Sequence, residues 1–193
     1  MQKLFFQNIY AQGDYIERGN NAYAAGASVA IHQKVYGLSL AASVSTMGTF
    51  DIGLSYAFLL SKENVYGIDQ ISNAIAPFVT LHIIKQSSSF PISISAVCHY
   101  QLQKFNSTYN QQSISLSYWT YGGSIFHFFE VSEQYSIQPF ITYTLTKSIN
   151  EKEIDTISAT ELSLSVISKI KSKKFIIHSS ISNSGDEIVY SLG

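Results

Sequence analysis

Apolar and small-polar residues take turns along this chain in runs of about ten positions, with almost no charge inside the runs. Phe50-Asp51-Ile52-Gly53-Leu54-Ser55-Tyr56-Ala57-Phe58 is one such run. Phe90-Pro91-Ile92-Ser93-Ile94-Ser95-Ala96 and Ala159-Thr160-Glu161-Leu162-Ser163-Leu164-Ser165-Val166 are two more. A period of two is that of an extended strand with chemically different faces. One face carries Ile, Leu, Val, Tyr and Phe; the other carries Ser, Thr, Gly, Ala, Gln and His. Alternation and the breakers between runs predict strands at 22–33, 36–46, 49–59, 73–85, 90–103, 114–131, 134–147, 157–169, 174–183 and 187–193. Repeated strands of this length, greasy on one side only, predict an all-β fold: a single antiparallel barrel of about ten strands that spans a membrane, with eight or twelve as alternatives.

The links add a second pattern. Met47-Gly48, Gln86 to Ser89, Ser132-Glu133 and Ile170 to Lys173 are short. Leu60 to Ser72, Lys104 to Ser113 and Ser148 to Thr156 are longer and more polar. Such sorting predicts tight turns at one end of a barrel and longer loops at the other, although Lys34-Val35 and Ser184 to Asp186 break the rule. Charge collects in links and at strand ends: Lys34, Lys62, Glu63, Asp69, Lys85, Lys104, Glu133, Lys147, Glu151, Lys152, Glu153, Asp155, Lys171, Lys173, Lys174, Asp186 and Glu187. A charge facing lipid at mid-bilayer costs roughly 2–4 kcal/mol, so this placement is what an embedded wall requires. Asp51 is the exception, and its parity turns it to the lumen. Aromatics also gather near the links, with Phe50, Phe90, Phe128, Phe129, Tyr135 and Phe175 by the short ones. Tyr56, Phe58, Tyr100, Phe105, Tyr118, Trp119 and Tyr143 lie by the long ones. They predict two belts at the headgroup levels.

Composition sharpens the picture. Charged residues make up 13% of the 193 positions, about half the ~25% of a typical soluble domain, and hydroxyl, amide and Tyr side chains fill the deficit. No apolar run is long enough for a transmembrane helix. A net charge of −1 argues against nucleic acid as a partner. The single cysteine, Cys98, excludes an intrachain disulfide and falls on the apolar face with Ile92, Ile94 and Ala96. Residues 1–12 read either as a secretory signal that lacks its front or as a short N-terminal strand; residues 13–193 form the barrel domain.

Tyr36-Gly37-Leu38-Ser39-Leu40, Phe50 to Tyr56 and Ile188-Val189-Tyr190-Ser191-Leu192-Gly193 together resemble the small outer-membrane β-barrel proteins of Gram-negative bacteria, over residues 13–193. The resemblance implies residence in the cell outer membrane and the lipid bilayer as partner. Members of that family usually close on an aromatic-terminated strand, which the run ending in Leu192-Gly193 does not match. Proline lacks a ladder donor; Pro91 fits a strand start, while Pro77 and Pro139 predict bulges near the rims. Gly122-Gly123 interrupts the alternation of 114–131 and could instead turn a hairpin, which would make twelve strands with residues 3–11.

Candidate chemistry is sparse. His82, His99, His127 and His178 have lumen parity and His32 lies at a strand end, but no HxH or HExxH spacing joins them. Polar filling of the lumen is the preferred reading over a metal site. Glu151, Glu153 and Asp155 predict a solvated loop tip, and Lys171, Lys173 and Lys174 a basic turn. No nucleophile, phosphate-loop or paired-carboxylate motif is present, so no catalytic, cofactor-binding or metal-binding residue is assigned and no enzyme is expected. The expected role is structural or surface-interacting, with outer loops around Asn64, Tyr66 and Asp69 and from Ser148 to Asp155 meeting partners, and with room for a narrow channel. The alternative is a soluble, lipocalin-like barrel whose apolar face points inward to hold a small apolar ligand.

Overall fold

The computed structural model describes residues 19–31, 35–61, 70–107, 113–149, 156–170, 173–184 and 187–193. Eleven strands form one sheet: β1 (Ala22–Ile31), β2 (Val35–Thr46), β3 (Phe50–Ser61), β4 (Gln70–Ile84), β5 (Ser93–Ser107), β6 (Ser113–Phe126), β7 (Phe129–Glu130), β8 (Tyr135–Ser148), β9 (Thr156–Ile170), β10 (Lys173–Ser184) and β11 (Glu187–Leu192). Each pairs antiparallel with its neighbour. β6 pairs with β8, β1 pairs with β11, and the sheet shuts into a closed barrel of ten strands. The two-residue β7 is a spur on β8 within the β6–β8 link.

The side chains alternate as predicted, and the apolar face points out. Ile52 is 58% exposed, Leu162 59% and Ile181 50%, while Ser43, Ser45, Asp51, Thr80, Ser95, Thr120, Gln138 and Ser165 are buried inside. This is the reverse of the lipocalin-like alternative, whose apolar residues would converge on the centre. Outward Tyr23, Phe50, Tyr135 and Phe175 sit at the strand ends near Met47. Tyr36, Tyr56, Trp119 and Tyr190 mark the other half, where Trp119 stacks on Tyr100 with ring centroids 5.0 Å apart. Cys98 is outward and exposed, paired with Val79 and Tyr121.

Several local expectations fail for identifiable reasons. Gly122-Gly123 makes no turn; both residues continue β6 in register with β5 and β8. A Cβ at Gly122 would lie 2.1 Å from the Tyr143 carbonyl oxygen, so this glycine admits the close approach of β8. The predicted strand 114–131 breaks instead at His127-Phe128. Neither Pro77 nor Pro139 makes a bulge: Pro77 stays in register with Leu54 and Pro139 with Leu164. Pro139 lies where β6 has ended, its carbonyl accepting from the His127 N–H at 3.3 Å. The register shift lies between His82 and Ile84.

Loop length does not sort the two ends either. At the Met47 end, the links 85–92 and 127–134 are much longer than the turn at 47–49. Polar clasps hold these longer links. The Gln86 amide donates to the Phe128 carbonyl at 3.0 Å and accepts from the Phe128 N–H at 2.7 Å. The β2–β3 turn has Met47 and Gly48 at φ 55° and 56°, the pair of left-handed residues that a primed hairpin turn needs.

β1 pairs with β2 over its whole length from Ala22 to Ile31. Among the described residues it closes the barrel against β11 at Val29–Leu192, Ala30–Ser191 and Ile31–Tyr190. β11 itself follows β10 down to Gly193, which exchanges both backbone hydrogen bonds with His178.

Candidate functional site

The chemistry of the molecule lies in its lumen, where register decides which side chains meet. Directly paired hydroxyls form cross-strand bridges: Ser28–Ser39 at 2.6 Å, Ser180–Ser191 at 2.5 Å, Thr120–Thr146 at 2.8 Å and Ser124–Thr142 at 2.8 Å. Gln101 Nε2 donates to Gln103 Oε1 at 3.2 Å, and Gln103 Nε2 donates to Ser72 Oγ at 3.1 Å. Each bridge satisfies polar atoms that would be costly to bury alone.

Ionisable groups occupy two places. At the Met47 end, His82 Nε2–H donates to Asp51 Oδ2 at 2.9 Å, and both side chains are fully enclosed. Higher on the wall, Ser165 Oγ and His178 Nδ1 share a 2.8 Å hydrogen bond, and His178 Nε2 stands 3.7 Å from Glu161 Oε1. Serine, imidazole and carboxylate in series are the parts of an acyl-transfer triad. β9 is paired on both edges around Ser165, however, which spends the nearby N–H groups in the ladder, so among the described residues the wall offers them no oxyanion pocket. The arrangement fixes the His178 ring against Phe140, 5.9 Å away edge-on.

The histidines thus part company. His82 and His178 face the lumen with separate carboxylates. His99 is buried on β5, with neither ring nitrogen meeting a partner among the described residues. His127 does not reach the lumen; it lies in the β6–β8 link, its Nδ1 against the Pro91 carbonyl and its ring 4.0 Å from that of Phe129. β6 turns Tyr118, Thr120 and Phe126 inward and Trp119, Tyr121 and Ile125 outward, the opposite of the parity on which the expected position of His127 rested, and the strand ends before that residue. His32, the loop residues Asn64, Tyr66 and Asp69, the acidic group Glu151 to Asp155 and residues 1–12 lie outside the described residues, as does Lys171. Among the described residues, no group of three or more His, Cys, Asp or Glu side chains could hold a metal ion.

The lumen is lopsided. Phe78, His99, Gln101, Gln103, Tyr118, Phe126, Gln138 and Phe140 fill it from β4 to β8. Phe78 lies so flat across β3 that a Cβ on Gly53 would be 2.3 Å from its Cζ. The opposite wall, β10–β11–β1–β2, presents small residues such as Ala24, Gly26, Ser28, Gly37, Ser39, Ser180, Ser182 and Ser191. Along it and on adjoining β9, Ala24, Gly26, Ala159, Ser163, Ser182 and Ser191 are only half-buried, so solvent reaches inward-facing positions there. Sequence reasoning did not single out Glu161. The signal was available: it shares parity with Ser163 and Ser165 inside a run quoted for its alternation.

No protein-family model matches this chain, and no curated protein matches it. Solved structures do. The chain is similar in fold to the β domain of the Bordetella autotransporter BrkA, with a TM-score of 0.50 and 10% sequence identity over 89% of this chain and 97% of that one.

Proposed function

We propose that this chain is an outer-membrane β-barrel protein with a structural or surface-interaction role, not an enzyme, and that its lumen carries a narrow aqueous path. One observation carries the reading: the oily half of every long strand faces out, between two sets of aromatic side chains, while hydroxyls and amides face in. In water that surface would be a continuous apolar patch far beyond what soluble monomers expose; in a bilayer it is the solvated face. The likeness in fold to an autotransporter β domain supports the same environment. The crowded β4–β8 half leaves no wide pore, and barrels of this strand number have interiors largely filled by side chains. The links at 62–69 and 149–155 are the proposed surface contacts.

Membrane fractionation with an unheated gel tests the location. The expected protein extracts only with detergent and migrates faster before boiling than after. A monomer that stays in the aqueous supernatant overturns the reading. Conductance across planar bilayers tests the aqueous path separately: small unitary currents are expected, and their absence from correctly folded protein removes the channel.

A further inference from the structure

The small-residue wall of the lumen has a carboxylate beside it. Glu161 projects inward from β9, opposite Ser182 on β10 and Thr142 on β8; its own side chain is 7% exposed and its Oε1 stands 3.7 Å from His178 Nε2, so it borders the half-buried positions. Ser163 and Ala159, its same-face neighbours on β9, are half-buried, as are Ser182 and Ser191. These are the positions that solvent reaches. Asp51, another lumenal carboxylate, is hydrogen-bonded to His82 with both side chains fully enclosed. Lys104 and Lys147 point outward, and Lys169 and Lys174 pair with each other at the mouth, exposed to solvent. Charges at a wet mouth are screened within about 8 Å at physiological ionic strength, whereas a charge inside a narrow, low-dielectric passage is not.

We propose that the aqueous path runs along the β9–β10–β11–β1 wall and prefers small cations, and that Glu161 is its selectivity-determining residue. The proposal rests on the channel reading above and adds to it where the ions pass and which side chain chooses them. A fixed carboxylate lowers the energy of a passing cation and raises that of an anion. The serine hydroxyls around it supply oxygen ligands in place of lost hydration.

The full chain is refolded and inserted into planar bilayers under a potassium chloride gradient, and the sign and size of the reversal potential are read. The wild type is expected to prefer potassium. Glu161→Gln is expected to lose most of that preference, and Glu161→Asp to retain it. Ser182→Lys places a positive charge directly opposite Glu161 and is expected to cancel or reverse the preference, so a Gln variant that fails to fold does not shelter the idea. An anion-preferring wild type, or Glu161→Gln and Ser182→Lys variants with unchanged selectivity, overturns the assignment while leaving the channel standing. Absence of conductance in heat-modifiable wild-type protein overturns both.

Discussion

At the scale of single residues, the enclosed Asp51–His82 pair is the sharpest test of how the lumen is held. Truncating one partner of a buried pair strands the other. His82→Ala is therefore expected to destabilise the barrel by about 3–5 kcal/mol, read as a lower midpoint in urea-induced unfolding from lipid. Asp51→Asn combined with His82→Gln, which keeps hydrogen-bonding partners without charge, is expected to recover much of the loss. Met47 offers the opposite sign. Its φ of 55° puts an unbranched side chain in the left-handed region, which costs an L-residue roughly 1–2 kcal/mol. Asn tolerates that conformation and is the natural first residue of a primed turn. Met47→Asn is expected to stabilise by about 1 kcal/mol, seen as a higher temperature for the change in gel mobility. Parity alone placed Asp51, His82, His99 and His178 in the lumen before any coordinates. It could not pair them, because a cross-strand partner depends on register, and register depends on where each turn begins.

At the scale of elements, alternation made the strands legible and breakers made their ends only partly so. β3, β8 and β9 run close to their predicted spans, because their two faces differ clearly in chemistry. For β6 the alternation predicts a longer strand than the Ser113–Phe126 that forms, with a turn at Gly122-Gly123 as the alternative. A glycine that accommodates a neighbouring backbone and one that turns a hairpin look alike in sequence; only the 2.1 Å approach of the Tyr143 carbonyl to a would-be Cβ separates them. The prolines misled for a similar reason. Losing an N–H can interrupt a ladder without shifting its register: the β4–β5 pairing passes from Ile75–Leu102 to Phe78–His99 across Pro77, and beyond Phe126 nothing on β6 asks Pro139 for a bond. The two faces of one strand should also respond differently to charge. Leu54→Arg, on the exposed outer side of β3, is expected under the proposed membrane reading to cost about 2–4 kcal/mol in bilayer refolding. Ser182→Lys, on the wet side of β10, should cost much less.

At the scale of the whole molecule, architecture followed from composition and period, whereas the lopsided filling of the lumen did not. Which inward residues are large can be read from the chain. That the large ones fall on contiguous strands and the small ones on the remainder emerges only once β11 meets β1. That meeting, among the described residues, includes Val29–Leu192, Ala30–Ser191 and Ile31–Tyr190. A disulfide joining Ala30→Cys to Ser191→Cys, which are directly paired, is expected to raise the heat-mobility transition in the oxidised protein and not in the reduced one. A cross-link of the same kind between β4 and β5, whose pairing is long, should change it little. The seam also joins strands that lie farther apart along the chain than any other neighbouring pair. Closing so long a loop carries the largest entropy cost in the sheet, so this pairing is the one expected to form last. Until that final step of assembly, the inner hydroxyls of Ser180 and Ser191 have no enclosure around them.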